Sequence, residues 1–255
     1  MRQKAARSGW RRAGSSAPAP QRGRAAQGRR AFHRDRRGVA PAGRGKVFAL
    51  YAVDAAARRS FEKEARPEGN FKITIGELLK YSVALSDNNA CDILIDYLGG
   101  TSALQKYVRR QGIKQMKITA TEDRMHKSGD PYLNHTRPSS AVRLLEKFIQ
   151  QELLSPVYQK FLENTMIATS TGSDKLKGLL PAETIIGHKT GSSDRDSTGM
   201  KAGDNDMGFV YLPHGGDHYT IAVFITDSME DDKTNAAIIA QISKAVYDYI
   251  NEISS

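Results

Sequence analysis

TIGELLKYSVALSDNNACDILIDYLGG, residues 74–100, reads as two consecutive helices with a polar break between them. Ile75, Leu78, Leu79, Ser82 and Leu85 follow the three- and four-residue spacing of one helix face, behind Thr74, a residue suited to the N-cap. Ala90, Ile93, Leu94 and Tyr97 repeat that spacing over a second helix at about 89–98, which Gly99-Gly100 terminates. Ser86-Asp87-Asn88 fills the break. Alone, it is a capping sequence. Cys91, the single cysteine, falls in the second helix and reads as a small packed residue.

Working outward, Thr101 opens a third helix at 102–110. Residues 114–138 are polar and turn-rich and predict a long ordered loop. Further helices are expected at about 139–151 and 156–166. After Pro181 the pattern turns to strand: Thr184 to His188 lead into Lys189, and 207–212 and 219–226 are the next two runs. Residues 213–217, Pro-His-Gly-Gly-Asp, have the composition of a hairpin loop between them. A last helix at about 233–252 carries Ala237, Ile238, Ile242, Ala245, Val246 and Tyr249. Helices, an antiparallel meander and a closing helix make an α+β fold. There are no internal repeats.

Composition divides the chain. The net charge of +10 is the sum of +14 over residues 1–66 and −4 over residues 67–255. Arg outnumbers Lys 15 to 3 in the first part, while Lys outnumbers Arg 14 to 6 in the second. The first part has one Leu, three Val and no Ile, too little for a packed core. Three readings of its residues 1–46 stand: a disordered basic arm, a nucleic-acid-binding arm, or a segment foreign to the rest, as from an out-of-frame start. The nucleic-acid reading has no zinc spacing, no RNP signature and only Trp10 and Phe32 for stacking. Residues 47–63 suggest a helix of modest amphipathicity. No run of 18 apolar residues predicts a membrane span, and no h-region of a signal peptide precedes Val47. His214 and His218 are four apart in the presumed hairpin without a third ligand, so no metal site is expected.

The chemistry enters with a second tripeptide. Lys189-Thr190-Gly191 ends a strand about a hundred residues after Ser86-Asp87-Asn88. In this order and spacing the two match two of the three signatures of the penicillin-recognising serine enzymes. Residues 75–100, 121–126 and 176–192 together resemble class A serine β-lactamases, in particular the subgroup with Thr-Glu-x-x-Met-His in the loop, here Thr121 to His126. The resemblance covers about residues 67–252. It implies a β-lactamase/transpeptidase-like fold, a helical domain plus an antiparallel sheet with a C-terminal helix. It also implies β-lactam hydrolysis through an acyl-enzyme, a small-molecule β-lactam substrate, no cofactor, no metal, no membrane, and a monomer. Family members are periplasmic or secreted, whereas this chain shows no export signal, so its compartment stays unassigned.

By resemblance, Ser86 relays a proton to the departing ring nitrogen. Lys189 holds that hydroxyl and attracts the substrate carboxylate. Thr190 and Ser192 complete carboxylate recognition, and Gly191 leaves room for substrate to lie along the strand edge. Asn88 offers a donor and an acceptor to the substrate amide, and the Ser192 N–H supplies half of an oxyanion hole. Glu122 is the base that activates the deacylating water. It separates a β-lactamase from one alternative, a penicillin-binding peptidase-like protein; the other alternative is a non-enzymatic protein with a basic nucleic-acid-binding arm. His126 stands where most of the family has Asn. Asn134 and Thr136 are expected to lock the loop, with Arg137 and Pro138 opening the next helix. His188 is expected to pack beside the site, and Lys175 is either an auxiliary cation or an exposed surface lysine.

The third signature, Ser-x-x-Lys, should lie about sixty residues before Ser86. That spacing falls on Arg24-Ala25-Ala26-Gln27, and no Ser or Thr occurs from Ala17 to Arg59. The formal match Ser60-Phe61-Glu62-Lys63 stands only 26 positions before Ser86 among charged neighbours, and reads as coincidence. The family's first helix and first two strands have no counterpart either. The expectation is a truncated or frameshifted β-lactamase, with residues 1–66 outside the family fold and 67–255 a partial domain. The coding DNA upstream of Pro67, translated in its other two frames, is then expected to contain a Ser-x-x-Lys with family-like flanks. Its absence from both frames refutes the frameshift.

Overall fold

The computed structural model describes residues 50–53, 71–213 and 217–254, all within the unit Val39–Ser255. Residues 1–49, the Ser60 to Lys63 match and His214 lie outside the described residues.

Strand β1 (Leu50–Val53) pairs antiparallel with β2 (Phe71–Thr74), Leu50 opposite Thr74. This corrects the helix expected over 47–63 at residues 50–53. Modest amphipathicity gives a short helix little to bury, whereas pairing with β2 satisfies the backbone at once. Thr74 then caps α1 (Ile75–Ala84) in a reciprocal capping box: its Oγ1 accepts from Glu77 N at 3.0 Å, and Glu77 Oε2 accepts from Thr74 N at 2.8 Å. The chain turns at Ser86, whose φ of 57° is left-handed, into α2 (Asn88–Tyr97). Asp87 caps that helix, its Oδ1 accepting from Ala90 N at 2.7 Å. Ile73, Ile75, Leu78, Ala90 and Ile93 bury together between the two helices. The spacing read from 74–100 therefore gives both helices and their shared core.

Helix α3 (Thr101–Arg110) begins at Thr101 itself. Gly100, at φ 88°, takes the N-cap position expected for Thr101. The expected loop at 114–138 is more structured than its polarity suggests. It holds β3 (Met116–Lys117) paired with β4 (His135–Thr136), and helix α4 (Glu122–Ser128) between them. Helix α4 has no buried residue, so no apolar periodicity announces it. Its signals are electrostatic: Thr121 at the N-cap, Glu122 and Asp123 in the first turn, His126 and Lys127 in the last, and Gly129 left-handed at the end. Helices α5 (Pro138–Ile149) and α6 (Pro156–Ile167) each start on proline, where the missing N–H costs nothing.

Strands β5 (Ile186–Ser192), β6 (Lys201–Tyr211) and β7 (His218–Ser228) form an antiparallel sheet in that order, and α7 (Asp232–Ser254) closes the chain. Side chains alternate across the sheet. Val210, Ile186, Ile221 and Val223 bury against Leu176, Ile239 and Tyr247 on the α7 side. Phe209 packs with Leu145, Phe148 and Met166 on the other. The architecture is α+β with helices on both faces of the sheet. No described helix is long and apolar enough to cross a membrane.

The helix-to-sheet fit is tight at one cross-strand pair. A Cβ on Gly187 would come within 2.2 Å of the ring of Phe209, the residue opposite it in the ladder. Gly187→Ala is expected to destabilise the chain by about 1–3 kcal/mol through overpacking, read by urea unfolding.

Candidate active site

Three elements converge on one cleft: the α1–α2 turn, the start of α4, and the open end of β5. The turn presents Ser86 because Asp87 fixes α2 and the Asp87 N–H closes the turn onto Tyr81 O at 3.0 Å. A left-handed serine is uncommon and is held only by such surroundings. Strand β5 carries Lys189 toward it, and Lys189 Nζ donates to Ser86 Oγ at 2.6 Å and to Thr190 O at 2.6 Å. The two motifs, 103 positions apart, thus meet through one charge-assisted hydrogen bond. Burial lowers the Lys189 ammonium below the ordinary lysine range, against the pull of Cys91, Asp206 and Glu122.

Thr190 Oγ1 lies 2.8 Å from Thr171 Oγ1. Thr171 was not singled out by the sequence. It reaches Thr190 because Gly172, at φ 65°, lets the chain press against the strand: a Cβ there would sit 2.4 Å from Thr190 Cγ2. Gly191 and Ser192 are exposed at the end of β5, whose outer edge has no strand partner among the described residues. Ser192 Oγ donates to Asp204 Oδ1 at 3.3 Å.

Glu122 is the first residue of α4, half-buried. Its placement depends on Asp92, one helical turn beyond Asn88 on the same face of α2. Asp92 Oδ1 accepts from Glu122 N at 2.7 Å, and Oδ2 from Asp123 N at 3.0 Å. Burial and then the Asp92 charge push the Glu122 carboxyl above its ordinary range, while Lys189 pulls it down. Cys91, beside them on α2, is a partly buried thiol pushed up to about 11 by burial and by Glu122 and Asp92. Such a thiol stays protonated and unreactive near neutrality. Asn134 locks the loop as expected: its Oδ1 accepts from Thr119 N and Ala120 N at 2.8 and 3.0 Å, and its Nδ2 donates to Ala120 O. Thr136 pairs with Met116 in the β3–β4 ladder, and Arg137 occupies the N-cap of α5. His126 and Asn88 are exposed.

Behind β5 lies a buried ionic layer that the sequence reading missed. Lys175 is buried and paired with Asp204, which excludes an exposed surface lysine. Asp204 also binds Lys201 Nζ at 3.1 Å, and Lys201 reaches Asp232 at 2.9 Å. Burial opposes ionisation of Asp204, yet the two ammonium groups outweigh it and hold the carboxyl below its ordinary range. His188 is buried as expected, its Nδ1 2.9 Å from Asp206 Oδ2. Asp204 and Asp206 alternate on one face of β6, which starts at Lys201 and not at 207 as the apolar run suggested, and buried acids at that spacing are tolerated only when paired. Among the described residues no group of His, Cys, Asp and Glu is arranged to hold a metal, and His218 faces Glu146 instead, at 3.7 Å.

Residues 60–250 match the β-lactamase enzyme family. A β-lactamase of Bacteroides uniformis is 52% identical over 184 residues, 71% of this chain and 62% of that protein. The extended-spectrum β-lactamase PER-1 of Pseudomonas aeruginosa is 42% identical over 180 residues, 70% of this chain and 58% of that one. The crystal structure of a class A β-lactamase from Bacteroides cellulosilyticus superposes with a TM-score of 0.76 at 48% identity, covering 81% of this chain and 76% of its own. The chain spans about three-fifths of the length of the curated relatives it matches.

Asp92 tunes Glu122 through space as well as holding its backbone. In Asp92→Asn the like charge is gone, and the Glu122 midpoint, followed by carboxyl ¹³C NMR, is expected to fall toward its ordinary 4.5. An unchanged midpoint refutes this coupling.

Proposed function

The chain belongs to the β-lactamase enzyme family, class A, and from that premise we propose that its cleft recognises β-lactams with the Ser-Asp-Asn, loop-carboxylate and Lys-Thr-Gly part of an acyl-transfer site. The observation that carries the reading is the hydrogen bond from Lys189 Nζ to Ser86 Oγ at 2.6 Å, with Glu122 held in electrostatic reach of the same ammonium.

Each group then has one task. Lys189 attracts the substrate carboxylate and holds Ser86 as a proton relay. In a chain that also carries the family's nucleophile, attack by that group on the carbonyl breaks the ring C–N bond, the Ser86 hydroxyl proton passes to the nitrogen, and the proton the nucleophile gives up replaces it. Thr190 and Ser192 donate hydroxyls to the carboxylate. The Thr171 and Asp204 oxygens that now face those hydroxyls keep them aimed until substrate arrives. Gly191 leaves the β5 edge open for substrate to lie along it, Asn88 meets the substrate amide, and the Ser192 N–H faces the developing oxyanion. Where such a nucleophile carries the acyl group, Glu122 polarises the water that attacks it. Burial and the Asp92 charge raise the Glu122 pKa, which makes it a better base than an ordinary glutamate.

Residues 17–59 contain no Ser or Thr, so the family's nucleophile has no counterpart at its usual spacing. This 255-residue polypeptide is therefore expected to bind a cephalosporin saturably while turning it over negligibly. Calorimetric titration and a chromogenic cephalosporin assay test the two halves. Lys189→Ala is expected to weaken binding about tenfold or more, the loss of a charge-assisted hydrogen bond. Turnover at an ordinary enzymatic rate overturns the second half, and absence of saturable binding overturns the first.

A further inference from the structure

We infer that Asp204 sets the specificity of the carboxylate end of this cleft, by holding Lys175 away from an arriving carboxylate while lending it the Ser192 hydroxyl. The inference rests on the β-lactam reading given above and adds how strongly the site responds to the charge of its ligand. Ser192 and Asp204 stand directly opposite in the β5–β6 ladder, so their side chains share one face of the sheet. Thr190, two residues earlier in β5, shares that face. Asp204 is 1% exposed, a buried carboxylate immediately behind the two hydroxyls assigned to substrate.

Lys175 reaches the same place from the turn before β5. A Cβ on Gly172 would lie 2.4 Å from Thr190 Cγ2 and 3.3 Å from Lys175 Cδ, so the lysine stem runs alongside Thr190. Its ammonium and the Ser192 hydroxyl then end on a single atom, Asp204 Oδ1, the hydroxyl at 3.3 Å. A cation so placed borders both hydroxyls that a substrate carboxylate would meet. Lys189 also feels it there, its proton affinity lowered by the second ammonium. What keeps Lys175 occupied is Asp204.

The two donors are held unequally. At 3.3 Å the Ser192 contact is long for a hydroxyl on a carboxylate, so this hydroxyl turns to a substrate at little cost. Lys175 is 8% exposed, and giving it up would leave buried charge short of a partner. The other oxygen of Asp204 is fixed by Lys201 at 3.1 Å, and Lys201 by Asp232 at 2.9 Å, so the carboxylate cannot follow its lysine outward. A buried pair at contact distance presents a dipole to its surroundings, and the two opposite charges largely cancel for a third one outside. An arriving carboxylate therefore competes with one already in place, and its anchoring falls to Lys189.

Calorimetric titration of the full 255-residue chain with a cephalosporin and with its carboxyl methyl ester tests this. D204N keeps an oxygen for Ser192 but removes the charge that holds the lysine. It is expected to bind the acid about fivefold tighter or more, the gain of a charge-assisted contact, and the ester within about twofold of the unsubstituted chain. K175M, which leaves Asp204 paired with Lys201, is expected to bind both ligands within about twofold of that chain. In the double variant the gain disappears. A merely structural role for Asp204 would instead weaken acid and ester together. The inference is overturned by a D204N chain that binds the acid no tighter, by a gain the ester shares, or by a gain that survives K175M. It is overturned equally by a K175M chain that loses acid affinity by more than about twofold, and this measurement decides alone where D204N does not fold by circular dichroism. If neither the unsubstituted chain nor D204N binds the acid, the reading of the cleft falls and this inference with it. Binding without the D204N gain overturns the inference only.

Discussion

The hydrogen bond between Lys189 and Ser86 is the point at which the helical layer and the sheet are made to agree. Ser86 projects from a left-handed position in a turn, and that position is set by the capping of α2 and the closure of the turn onto Tyr81. Lys189 projects from the middle of β5, and its height is set by the ladder with β6. A shift of one residue in that ladder would send the lysine to the opposite face. The 2.6 Å contact therefore requires the register of the sheet and the capping of a helix to be right together. Gly187 and Gly172 serve the same end, one letting Phe209 close on β5 and the other letting the 171–175 turn press on Thr190.

Acidic groups rather than apolar ones hold the pieces of the cleft at their distances. Asp92 gathers the N–H groups at the start of α4, where the helix macrodipole also favours a negative charge. Asp204 gathers Lys175, Lys201 and the Ser192 hydroxyl from three separate segments. Asp206 gathers His188 and the Leu176 N–H, the latter at 3.2 Å. A buried carboxylate with several donors is directional in a way that a leucine is not, and removing any one donor leaves a cost behind. This part of the structure is specified by geometry more than it is stabilised by area.

What could be read from the residues follows from which forces leave a periodic trace. Helices α1, α2 and α5 bury an apolar face, so spacing located them within a residue or two; α7 was located as closely, but Ile238, Ile242 and Tyr249 of its spacing are exposed, and Ala236, Ile239, Ala240 and Tyr247 bury instead. Helix α4 buries nothing and was read as loop, although Thr121, Glu122, Asp123 and Gly129 are its start and stop signals. The four residues of β1 were read as helix because a short strand is decided by its partner, which lies about twenty positions later. Among the site residues, Ser86 and Lys189 were legible as a motif and Glu122 by its surroundings. Thr171 and Asp92 were not, since each acts through a contact that no local pattern announces. Lys175 was legible as a cation but not as a buried one, because its burial depends on Asp204, 29 positions later in β6.

Charge gives the sharpest case of a bulk property misdirecting. The whole chain is +10, which suggests an anionic polymer as partner, while residues 67–255 are −4, which suggests repulsion of any anion. Neither sum describes the cleft. There Lys189, Lys175 and Lys201 stand within one layer against Asp204, and Lys175 lies close enough to lower the affinity of Lys189 for its proton. In a site shielded from water these few charges outweigh the many on the surface, whose fields are screened over about 10 Å. The electrostatics at β5 are thus set by how these few lysines pair with Asp204, Asp206 and Glu122, not by the net charge of the chain.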